Sequence, residues 1–204
     1  MPLPPRPPDK KLNPELERIV YQIKVIRQEA EGLVIGLSPQ QLQWRPSPDR
    51  WSVQQCFAHL NETNRKMAIN IDESIRKGRE SQLTSDGPFT YGFFGRWLHR
   101  MMEPPVKRRL RAPAALQAPP GQSWEQIQAD WKATHDRIDA LVLQSNGLDL
   151  ARIKTKSPAS WWASYPLGIA FWIQTAHDRR HLWQARQIVN DSRFPKPIAV
   201  PESA

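Results

Sequence analysis

His177 and His181 lie four residues apart toward the C-terminal end of a 204-residue chain. On a helix, side chains at that spacing stack on one face with roughly 5–6 Å between Cβ atoms. Both imidazoles can then reach one metal ion at ~2.0–2.1 Å. The pair forms an HxxxH arrangement without the glutamate of a zinc-protease HExxH motif, because Asp178 follows His177. The setting says more than the spacing. The stripe carrying the pair is apolar at Leu167, Ala170 and Phe171, then turns polar at Gln174, His177, His181 and Gln184. Two rings on a face that should enter a core are costly to bury unpaired, so a shared partner is expected.

A three-histidine site needs one more ligand, and His59, His99 and His135 are the candidates. His59 sits beside an apolar stripe and one turn after Cys56; His135 lies near the inner face of its own helix. His99, in a basic stretch after Trp97, reads as a surface residue. Spacing alone leaves His59 and His135 equally open. Around the site, Gln184 is placed to orient an imidazole or a bound water. Asp178 and Glu62 are the acids that could serve as outer acceptors or as a base, and Arg180 is expected to pair with an acid. Cys56 is expected to be a buried, inert thiol.

Helices must position these residues, and the twenty prolines mark where long ones cannot run. Four proline-free windows carry an apolar stripe of helical period. The first starts at Asn13-Pro14 and runs through Leu16, Ile19, Ile23, Ile26 and Ala30 to Leu37. The second starts at Ser52, with Gln55 in capping-box relation, and stops near Gly78. The third runs from Ser123, with Gln126 in the same relation, to Asn146-Gly147; the fourth from Tyr165-Pro166 to Val189-Asn190. A shorter helix fits Phe89 to Met102, and no alternating run looks like a strand. An all-α four-helix bundle follows. Because 79–120 is far longer than ordinary bundle joins, the second and third helices can be parallel, linked by a crossover. The expected organisation is a flexible Pro-rich arm at 1–12, one helical domain at 13–194 and a flexible tail at 195–204.

Composition narrows the function classes. Hydrophobic residues at 39% and charged residues at 24% fit a lean globule and exclude fibrous and disordered chains. No stretch approaches the ~20 apolar residues of a membrane span, so no membrane partner is expected. The N-terminus has no apolar secretory core, and one cysteine cannot form an internal disulfide; a cytoplasmic protein is expected. Of the net charge of +9, part is concentrated in Arg96, Arg100, Lys107, Arg108, Arg109 and Arg111 against Glu103 alone. No nucleic-acid module accompanies that run, which leaves nucleic acid a minor reading.

Two segments resemble a known family. LSPQQLQWRPSPDRWSVQQCFAHL, residues 37–60, resembles the entry into the second helix of the DinB/YfiT-like proteins, and HDRRHLWQARQI, residues 177–188, resembles their closing helix. The resemblance spans roughly residues 13–190. It implies a four-helix bundle with a crossover and a divalent metal on three histidines, here His59, His177 and His181; His135 has no counterpart in the motif. It further implies a small-molecule substrate: some relatives transfer low-molecular-weight thiols, others are described as hydrolases, and homodimers are common among them. Three protein ligands leave a position open for water or substrate, as in catalytic zinc sites. An imidazole-only set also suits nickel or iron. The expectation is a metal-dependent transferase or hydrolase. Its rivals are a non-catalytic bundle that binds a metal or ligand, and a nucleic-acid-associated protein using the basic stretch.

Overall fold

A computed structural model describes residues 11–105, 116–117, 121–160 and 162–196. Most of the expected arm and tail therefore lies outside the described residues, as do Trp161, Lys107, Arg108, Arg109 and Arg111.

The helices begin where capping chemistry predicts. α1 (Pro14–Val34) has Asn13 as its cap, whose side chain accepts from the Glu15 amide at 2.8 Å, with Pro14 pre-set in the first turn. α1 ends before Leu37, and a five-residue helix that the periodicity did not predict, α2 (Pro39–Gln43), follows with its own capping box from Ser38 to Gln41. α3 (Val53–Glu80) starts on the Ser52–Gln55 box and continues two residues past Gly78. α4 (Phe93–Met102) starts four residues later than Phe89. Ser123 caps α5 (Trp124–Gln144) through the Gln126 amide, and α6 (Leu167–Val189) closes the fold.

α6 has no side-chain cap, and the reason corrects the expectation of no strands. β1 (Lys154–Lys156) pairs antiparallel with β2 (Ser164–Pro166), setting Thr155 opposite Tyr165. The turn before this ribbon then supplies backbone acceptors: the Leu167 amide donates to the Ile153 carbonyl at 2.9 Å, and the Gly168 amide to the Leu150 carbonyl at 3.0 Å. Orphan donors of the first helical turn are thus met by backbone instead of a serine or aspartate. Three-residue strands are too short to show an alternating pattern.

Two apolar clusters fill the bundle. One joins the start of α1 (Leu16, Ile19, Ile23) to the ends of α3 (Ile71, Ile75) and α5 (Ile138, Leu141) and the start of α6 (Leu167, Phe171). The other joins the end of α1 (Ile26, Ala30) to the starts of α3 (Val53, Leu60) and α5 (Ile127, Trp131) and the end of α6 (Leu182, Ile188). α1 and α6 therefore run one way, and α3 and α5 the other. The second and third long helices are parallel, as the long crossover requires.

Between the clusters every long helix except α1 contributes buried polar residues: Asn61, Thr63 and Asn64 from α3, His135 from α5, and Gln174, Asp178 and His181 from α6. A polar layer divides the core. The crossover is clamped to α6 by α4. A Cβ on Gly95 would lie 3.0 Å from Ile169, and a Cβ on Gly168 only 1.9 Å from the Tyr91 hydroxyl. Tyr91 donates to Glu15 at 2.7 Å, so α1, α6 and the crossover meet at these two glycines.

Candidate metal centre

Part of the polar layer is a triangle of imidazoles. The rings of His177 and His181 are 4.6 Å apart between centroids, His59 and His181 4.6 Å, and His59 and His177 5.2 Å. One nitrogen from each of the three lies within 4.8 Å of the others. Nε2 of His59 and Nε2 of His177 are 3.4 Å apart. Two nitrogens bonded to one tetrahedral ion at ~2.0–2.1 Å would stand about that far apart.

Helix geometry explains the convergence. His177 and His181 face inward from adjacent turns of α6, and His59 faces them from the first half of α3, which runs antiparallel to α6. The Nδ1 of His59 bonds to the Leu116 carbonyl at 2.7 Å. A carbonyl only accepts, so Nδ1 carries the proton and Nε2 presents a lone pair to the other rings, which is how ligating imidazoles are commonly oriented. The Nδ1 atoms of His177 and His181 are buried with no hydrogen-bond partner. Trp51, one residue before the α3 cap, stacks on His181 at 5.5 Å between ring centroids and lies 4.9 Å from His59.

Burial holds all three rings in the neutral form. It lowers His59, partly offset by the Leu116 carbonyl. It brings His177 from its ordinary 6.5 down to about 3, with the His59 and Arg180 charges adding to the effect. It takes His181 well below 6.5, again with its histidine neighbours and Arg180, against a hydrogen bond with Gln184. Neutral imidazole is the metal-binding form. Three uncharged nitrogen donors at this separation fit a divalent cation.

The other candidates lie elsewhere. Gln184 stands beside His181, where it can orient the ring. Asp178 is fully buried but directed away from the triangle, accepting from Asn64 at 2.9 Å, from Gln174, and from His135 Nε2 at 3.2 Å. His135 also bonds to the Trp131 carbonyl at 2.9 Å, which places it in a separate network that Asp178 centres and that joins α3, α5 and α6. Glu62 is ion-paired to Arg65 and Lys66, each at 3.0 Å, and lines a groove of about 600 Å³ between α3 and α5 that no histidine lines. Arg180 is buried and donates to the Met101 carbonyl at 3.3 Å.

Cys56 is fully buried in the apolar cluster of Val53, Leu60 and Leu182, and desolvation pushes its thiol far above the ordinary range. His99 is half-buried and not a free surface residue: it contacts Glu103 at 3.1 Å and packs edge-on against Trp172.

Family comparison agrees with this architecture. The family model of the DinB superfamily matches residues 22–185, a span that contains all three histidines. The chain belongs to the DinB superfamily. No curated protein and no solved structure matches it. Within the DinB match, sequence reasoning found the imidazoles but missed Trp51 and the Leu116 carbonyl. Trp51 had a signal, its place immediately before the Ser52 cap; a backbone carbonyl brought in by the crossover had none.

Proposed function

We propose that this DinB protein is a metal-dependent enzyme in which His59, His177 and His181 hold a divalent cation, zinc foremost, with nickel or iron as the other ions such a set accepts. The observation that carries the reading is the near-equilateral triangle of neutral imidazoles, with no His, Cys, Asp or Glu as a fourth vertex among the described residues. A cation held by three protein ligands lowers the pKa of a thiol or water at its open position and so supplies a nucleophile at neutral pH. The chain's own residues do the rest. The Leu116 carbonyl fixes the His59 tautomer, Gln184 steadies His181, and Trp51 covers one side of the rings and excludes water there. The reaction proposed is attack of a low-molecular-weight thiol, or of water, on a small electrophile in the cytoplasm.

Protein purified without a polyhistidine tag should contain about one equivalent of metal, and His181→Ala should lose it. Consumption of a small thiol in the presence of an activated electrophile should stop with a chelator and return with zinc. Tag-free protein without stoichiometric metal, or thiol consumption unaffected by His181→Ala, contradicts the proposal.

A further inference from the structure

α4 is apolar on two sides, and the bundle covers only one. Gly95 is buried against Ile169, and Leu98 packs on the apolar cluster of Leu16, Ile71 and Phe171. At about 100° per residue, Phe93, Trp97, Met101 and Phe94 fall within an arc of about 100° on another side. All four are exposed, Phe93 by 76% and Phe94 by 62%. The Phe94 and Trp97 rings rest together at 5.8 Å between centroids. Arg96 and Arg100, both exposed, follow along the edge of the same arc. Single exposed apolar residues are ordinary, but four large ones grouped on a ten-residue helix mark a contact surface.

Charge decides between occupants. A second copy would set Arg96 and Arg100 of each chain around the same apolar patch, in a protein already at +9. An anionic bilayer offers both complements: apolar depth for the rings and negative headgroups for the guanidinium groups. We infer that α4 is a docking face for an anionic lipid bilayer, with Phe93, Phe94, Trp97 and Met101 entering the interface and Arg96 and Arg100 meeting headgroups. This is docking on the surface of the bilayer: no helix among the described residues is long and apolar enough to cross.

Flotation of the full chain with phosphatidylcholine vesicles, with and without phosphatidylglycerol, tests this. Binding should require phosphatidylglycerol and fall with added salt. Arg96→Gln/Arg100→Gln should weaken it about thirtyfold, and Phe94→Ser/Trp97→Ser should abolish it. Circular dichroism checks that each variant folds, and Phe93→Ser, the most exposed of the four, provides a second apolar variant that should also weaken binding. Equal binding to neutral vesicles, no binding to either kind, or full binding by the apolar variants overturns the inference. So does a dimer in sedimentation that Phe94→Ser/Trp97→Ser splits, which would assign the face to a second copy.

Discussion

At the scale of single residues, the three site histidines are held neutral by burial, and this has a consequence for stability. Each has a folded pKa below its ordinary value, His177 at about 3 against 6.5. Between those values the unfolded chain binds protons that the folded chain refuses, so stability declines as pH falls from about 6.5 toward 3. Above 6.5 both states are uncharged at these rings and the dependence disappears. Melting of chelator-treated protein from pH 7.5 to pH 5 should therefore show a falling midpoint, shallower in His177→Gln; parallel profiles would count against this. Asp178 makes a separate prediction. It holds Asn64, Gln174 and His135 where none can reach water, so Asp178→Ala should destabilise the fold by about 3–5 kcal/mol. Chemical denaturation measures that, and a loss under 1 kcal/mol would mean the network is dispensable.

Single contacts decide how the elements lock together. Ser52 is the cap of the helix that carries His59, and Ser52→Ala should cost about 1 kcal/mol while leaving the triangle in place. Gly168 sits where the crossover touches α6. The Cβ of Gly168→Ala would displace the Tyr91 hydroxyl from Glu15, for an expected loss of about 1–3 kcal/mol in thermal or urea unfolding. Wild-type stability in Gly168→Ala would show that the crossover is loosely held. These elements differ in how far the sequence reveals them. Asn13, Ser52 and Ser123 announce helix starts because capping is local chemistry read within four residues. α6 starts at the proline that marks it, but its cap is not legible, since its first amides are met by carbonyls of Leu150 and Ile153, partners brought in by tertiary structure. α2 and the β1–β2 ribbon are too short for any period to register.

The whole molecule is two apolar clusters parted by a polar layer, with the imidazole triangle and the Asp178–His135 network side by side within it. The HxxxH pair was legible because its spacing and its place on an inward stripe are properties of one helix. The family resemblance of residues 37–60 singled out His59. Spacing did not separate it from His135, since both are buried inward-facing histidines on parallel helices whose roles are set by the packing of α3 and α5 around α6. The role of Asp178 was hidden for the same reason: adjacency to His177 in sequence puts it on another side of the helix. Whether three imidazoles hold one ion is tested most directly by X-ray absorption at the edge of the metal carried by tag-free protein. Three imidazole nitrogens at about 2.0–2.1 Å with one exchangeable light-atom ligand is the expected spectrum. A fourth protein nitrogen, or a spectrum unchanged in His59→Ala, would contradict it.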